Sequence, residues 1–160
     1  MKNGIYTDDF KNEYSYKEGA LHRLDGPSII FSDGSEQWHK DGLLHREGGP
    51  AVINKGLSEE WWINGMLHRI GGPARIFNGG EKQWWKNGEL HREGGPAIIL
   101  SSGEKQWYKE GKLHREDGPA IIYEDGDVGY CLFGEYISFE EWFSQTTDEG
   151  RISFLFSGDE

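Results

Sequence analysis

Cysteine is nearly absent: Cys131 stands alone, so no intrachain disulfide can form and the bridged frameworks of small secreted domains are excluded. Long apolar runs are missing as well, and no stretch approaches the ~20 apolar residues that a membrane helix needs. Met1 to Phe10 holds two aspartates and no apolar run, so no secretory signal is expected there. Basic residues are scarce: 17 Lys and Arg against 28 Asp and Glu give a formal charge of −11. That balance disfavours DNA, RNA and anionic membranes, which are gathered by Lys and Arg clusters. The expectation is a single-domain cytoplasmic chain whose partner is a protein with a basic or apolar surface. Aromatic residues, at 14%, are plentiful enough to exclude a disordered chain.

What is present is a repeat. His22, His45, His68, His91 and His114 are each 23 residues apart, and the register never slips. Around each histidine runs Gly, any residue, Leu-His-Arg, two mostly acidic or glycine positions, Gly-Pro, then Ala or Ser. All five prolines, Pro27, Pro50, Pro73, Pro96 and Pro119, fall on one repeat position. An aromatic column follows at Trp38, Trp61, Trp84, Trp107 and Tyr130. Asp33-Gly34, Gly79-Gly80 and Asp125-Gly126 precede that column, and Asp41-Gly42, Asn64-Gly65 and Asn87-Gly88 follow it. Such dipeptides between runs of β-branched and aromatic residues favour two-residue hairpin turns. Each repeat is therefore read as two short antiparallel strands, one through Pro119–Tyr123 and one through Gln106–Lys109, with equivalents elsewhere.

The string from Trp107 to Gly126, with Trp-Tyr-Lys-Glu-Gly-Lys-Leu-His followed by Gly-Pro-Ala-Ile-Ile-Tyr-Glu-Asp-Gly, resembles the MORN repeat. The turn Arg115–Asp117 departs from typical MORN units, which pass from His to Gly directly. The variant is similar to Leu-His-Arg-Glu-Asp-Gly-Pro-Ala arrays of phage, giant-virus and bacterial proteins. The resemblance spans roughly Tyr14 to Gly134. It implies an elongated antiparallel β-meander or solenoid, a scaffold role and no catalytic residue; a phage origin would place the chain in the host cytoplasm.

The expected fold is accordingly all-β: residues 1–18 as an N-terminal half repeat, 19–133 as five hairpin repeats, and 134–160 as a degenerate repeat and acidic cap. Ser138 with Glu141 forms a capping box opening a short helix that carries Phe139, Trp142 and Phe143. The alternation Ile152, Phe154, Phe156 reads as a final strand.

A partner reads positions that differ among rungs, whereas residues repeated in every rung are needed by the rung itself. The unvarying column Ile30, Ile53, Ile76, Ile99 and Ile122 is expected in the core. The varying columns, Phe31, Asn54, Phe77, Leu100, Tyr123 and Tyr16, His39, Trp62, Trp85, Tyr108, Cys131, are expected on the opposite side. Trp62, Trp85, Tyr108 and Phe77 are the candidate contact residues, because exposed aromatic faces mark interfaces. The alternative ligand ladder, His45, Arg46, His68, Arg69, His91 and Arg92, would offer forked donors to a phosphate or nucleotide. A shared metal is excluded, because equivalent residues two strands apart lie ~10 Å from each other while ligands sit about 2 Å from zinc. No cofactor is expected, and the glycine pairs Gly48-Gly49, Gly71-Gly72 and Gly94-Gly95 read as turns, since no Lys-Ser/Thr follows them. The leading reading is a non-enzymatic protein-binding scaffold, such as a phage inhibitor of a host defence factor. Its rivals are a small-molecule sponge and a homo-oligomer assembled through the aromatic face.

Overall fold

The computed structural model of this chain describes residues 1–147 together with Glu149 and Ile152. It divides into two units, Met1–Gly80 with Trp85–Gly88, and Glu81–Trp84 with Glu89–Glu160. Each is an antiparallel β-meander. In the first, the strands follow one another as Gly4–Thr7, Glu13–Lys17, Ile29–Ile30, Glu36–Gln37, Val52–Asn54, Ser58–Glu60 and Arg75–Phe77. In the second the order is Lys82–Gln83, Ile98–Ile99, Lys105–Gln106, Ile121–Ile122, Val128–Leu132 and Glu135–Ile137. The opening strand Gly4–Thr7 has no counterpart in the repeat and extends the half repeat by one strand.

The two-strand reading of the repeat needs correction, because the aromatic strand breaks at its tryptophan. Glu36–Gln37 lies in the meander, whereas His39–Lys40 pairs only with Leu43–Leu44 in a separate small hairpin. Trp62–Ile63 with Met66–Leu67, and Tyr108–Lys109 with Lys112–Leu113, repeat the arrangement. The backbone of the tryptophan bridges both ladders: Trp38 N–H donates to Ala51 C=O at 2.7 Å, and Trp38 C=O accepts from His45 N–H at 3.0 Å. The first four repeats thus have four short strand segments and two turns, whereas in the last Val128–Leu132 runs unbroken through Tyr130. The two turns also differ from each other. Asp41-Gly42 and Asn64-Gly65 are two-residue turns with both φ angles positive, 51° and 84° in the first and 49° and 78° in the second. The other turn is longer, as at Phe31–Ser35, where Phe31 N–H donates to Ser35 C=O at 2.9 Å and Gly34 takes a positive φ of 86°. That is the three-residue loop with a left-handed glycine.

The most deeply buried column lies two residues before the expected one. Ala51, Ala74, Ala97 and Ala120 are 0% exposed and Ser28 is 1% exposed, while Ile30, Ile53, Ile76, Ile99 and Ile122 are only half-buried. The small residue sits where backbones from two neighbouring strands converge on it. Ala97 N–H donates to Gln106 C=O and Ala97 C=O accepts from Trp84 N–H, both at 2.8 Å. A longer side chain has no room at such a position, so burial there selects for smallness rather than for apolar area.

The C-terminal cap forms as expected. Glu141 N–H donates to Ser138 Oγ at 3.1 Å and Ser138 N–H to Glu141 Oε2 at 3.0 Å, closing a capping box on the helix Phe139–Gln145. Of the three apolar helix residues only Trp142 is fully buried; Phe139 and Phe143 stay 42% and 37% exposed. Phe154 and Phe156 of the expected final strand lie outside the described residues, and Ile152 is helical rather than extended.

Candidate functional site

The histidine and arginine of every repeat are occupied by the rung. Arg46 lies over the ring of Trp38 at 3.7 Å, Arg69 over Trp61 at 3.8 Å, Arg92 over Trp84 at 3.8 Å and Arg115 over Trp107 at 4.1 Å. The same guanidinium groups donate through Nη1 to the carbonyls of Pro50, Pro73, Pro96 and Pro119, at 3.0 to 3.2 Å. Where the loop carries an aspartate, Arg Nε takes it as well: Arg23 to Asp25 at 2.9 Å and Arg115 to Asp117 at 2.8 Å. The Arg23 hydrogen bond holds the Asp25 carboxyl below the usual carboxylate range.

This placement explains the Gly-Pro pair. A Cβ on Gly49 would stand 3.0 Å from Arg46 Cζ, and one on Gly118 2.9 Å from Arg115 Cζ, with Gly26, Gly72 and Gly95 alike. The glycine leaves space for the guanidinium, and the proline carbonyl receives it. The first member of each glycine pair, at Gly48, Gly71 and Gly94, has a positive φ of 71° to 79°, as an ordinary turn requires.

Each histidine fastens the next hairpin. The N–H groups of Asp41, Asn64, Asn87, Glu110 and Phe133 donate to Nδ1 of His22, His45, His68, His91 and His114 at 3.1 to 3.2 Å. In every case the donor is the first residue of a two-residue turn, whose N–H faces away from its own hairpin. The histidine therefore satisfies a donor that the hairpin cannot satisfy itself. The guanidinium groups of Arg46, Arg69 and Arg92 and the Nδ1 atoms of His45, His68 and His91 thus each have a partner within the array.

The varying columns form a different surface. In the first unit Trp62 Nε1–H donates to Glu60 Oε2 at 2.9 Å, Glu60 Oε1 pairs with Arg75 Nη2 at 3.0 Å, and Arg75 lies 5.7 Å from the centre of the Phe77 ring. Arg75 occupies the position that is Ile29, Val52, Ile98 or Ile121 in other repeats, so this strip belongs to one rung. Trp62, Phe77 and Trp85 are half-buried, less open than a bare contact face. His39 occupies the same column as Trp62. It is buried, with Nδ1 2.7 Å from Ser28 Oγ, and burial pushes its pKa down from the ordinary histidine value. The turn after Asn54 also differs from its equivalents. Its glycine is Gly56, and Leu57, standing where the others have glycine, projects outward at 70% exposure.

In the second unit Tyr108 Oη–H donates to Gln106 Oε1 at 3.2 Å, and Gln106 Nε2–H donates to Glu104 Oε1 at 2.6 Å. Tyr108 packs on the cluster Leu113, Ala120, Ile121 and Cys131. Burial pushes the Tyr108 hydroxyl up, with Cys131 and Glu104 adding to the rise. Tyr136 is the cross-strand partner of Cys131, and its hydroxyl is pushed up first by burial and then by Cys131 and the neighbouring tyrosines Tyr123 and Tyr108. Reading the sequence alone missed Tyr136, because it lies past the last full repeat and no column pointed to it.

Among the described residues no group of three or more His, Cys, Asp or Glu is placed to hold a metal ion, and no helix is long and apolar enough to cross a membrane. No family model matches the chain, and no curated protein matches it.

Proposed function

We propose that this chain is a non-enzymatic, MORN-like scaffold that binds a protein partner through its varying columns. One observation carries the reading: four of the five repeated arginines are held by a tryptophan ring and a proline carbonyl, Arg23 by Asp25, and all five histidines by the following turn. The side chains that differ from rung to rung, among them Trp62, Phe77, Trp85 and Tyr108, are the ones left to distinguish one partner from another. Trp and Tyr anchor protein interfaces more often than other residue types. The formal charge of −11 favours a basic partner surface, as an inhibitor of a nucleic-acid-handling host defence factor would meet. Occupied arginines argue against a phosphate or nucleotide sponge.

The test is affinity capture from host lysate with wild type beside a Trp62→Ala/Trp85→Ala variant whose fold is checked by circular dichroism. A partner retained by wild type and lost by the folded variant supports the reading. A complex that survives high salt unchanged contradicts the basic-partner element.

A further inference from the structure

Charge is shared unequally between the two units. The first holds ten Lys and Arg against eleven Asp and Glu, a formal −1, and the second holds seven against seventeen, a formal −10. Almost the whole charge of the protein therefore belongs to the unit that also carries the tyrosine face. On that face Tyr136 is 67% exposed and Tyr123 37% exposed, while Tyr108 is bonded to Gln106 and packs on the cluster that holds Cys131, the cross-strand partner of Tyr136. An open hollow of about 740 Å³ adjoins Tyr123, lined by Glu104, Glu124, Asp125 and Asp127 and by no basic side chain.

The chemistry of the face is specific in kind. A tyrosine ring attracts a cation to its π surface, and a carboxylate at the edge supplies the counter-charge. Glu104 is already oriented by Gln106, so less side-chain freedom remains to be lost on binding. An acidic unit gathers a cationic partner from a distance, and the rings hold it on contact.

We propose that the face formed by Tyr108, Tyr123 and Tyr136, with Glu104 beside it, docks a Lys/Arg-rich segment of a partner protein. This inference rests on the scaffold reading and names the partner class and the place where it binds.

The test is fluorescence anisotropy of a labelled deca-arginine peptide with the full chain at low and at physiological salt. Tyr123→Ala/Tyr136→Ala, which leaves the net charge unchanged, should weaken binding at least tenfold. Glu36→Gln/Glu47→Gln, which removes two charges from the first unit, should change it less than twofold. Circular dichroism confirms that each variant is folded. Undiminished binding by the tyrosine variant, equal losses in both variants, or no binding by wild type each overturns the inference. If the peptide fails while a lysate partner is still captured through Trp62 and Trp85, this inference alone falls. If both fail, the scaffold reading falls with it.

Discussion

Asn87 N–H points at Nδ1 of His68, 3.1 Å away and 19 residues earlier in the chain. This bond joins one hairpin to the next. His68→Ala leaves the N–H without its acceptor and should cost about 1–3 kcal/mol of stability. His68→Asn, whose Oδ1 stands close to the position of Nδ1, should recover at least half of that loss. Urea unfolding of the three proteins measures it, and equal stability of wild type and the alanine variant would remove the histidine from the architecture.

Arg69 combines a stack on Trp61 with a hydrogen bond to the Pro73 carbonyl, and lysine reproduces neither the planar stack nor the fork. Arg69→Lys should therefore destabilise by about 1–2 kcal/mol although the charge is kept. An unchanged unfolding midpoint would show that charge alone matters at this position.

Trp142 replaces the arginine of the last rung. Ser138 falls 23 residues after Arg115, where the next arginine would stand, and begins the helix instead. Trp142 then packs on Tyr130 with ring centres 5.1 Å apart and donates through Nε1 to Arg115 C=O at 2.9 Å. Trp142→Ala should cost about 3–5 kcal/mol, and Trp142→Phe, which keeps a ring but loses the donor, less. Thermal unfolding orders the three, and a harmless alanine variant would mean that the cap does not close the array.

His39 predicts the direction of a pH effect. Burial lowers its pKa in the folded protein, so the folded state keeps the imidazole neutral while the unfolded state takes up a proton near the ordinary value of about 6.5. Stability is then full above about pH 6.5 and falls as the pH drops toward the folded pKa, by at most about 1.4 kcal/mol per pH unit for one proton. His39→Asn should lose less stability than wild type between pH 7 and pH 5. Parallel pH profiles for the two proteins would show that His39 carries no such penalty.

The period, the β class and the capping box were legible because each rests on local chemistry: a 23-residue histidine register, glycine turns, and Ser138 three residues before Glu141. The break at each tryptophan was not, since no glycine, proline or turn residue marks it between Gln37 and His39. Only the pairing of Trp38 N–H with Ala51 and of its carbonyl with His45 divides them, and those partners belong to the tertiary fold. The core was misplaced by two residues for a related reason. Hydrophobicity points to isoleucine, but a position closed on all sides by backbone admits only alanine or serine. The stacking of arginine on tryptophan was legible as one of several uses for the pair, while the reason for the following glycine needed the coordinates, because it fits a guanidinium from three residues earlier.

The central claim is that repeated residues build the rung and varying residues meet the partner. Its most direct test is photo-crosslinking in cell lysate with p-benzoylphenylalanine placed at Phe77, on the varying face, or at Glu47, in a His-Arg loop. The account predicts a discrete protein adduct from position 77 and none from position 47. An adduct from position 47 alone would contradict it and return the loops to consideration as the binding surface.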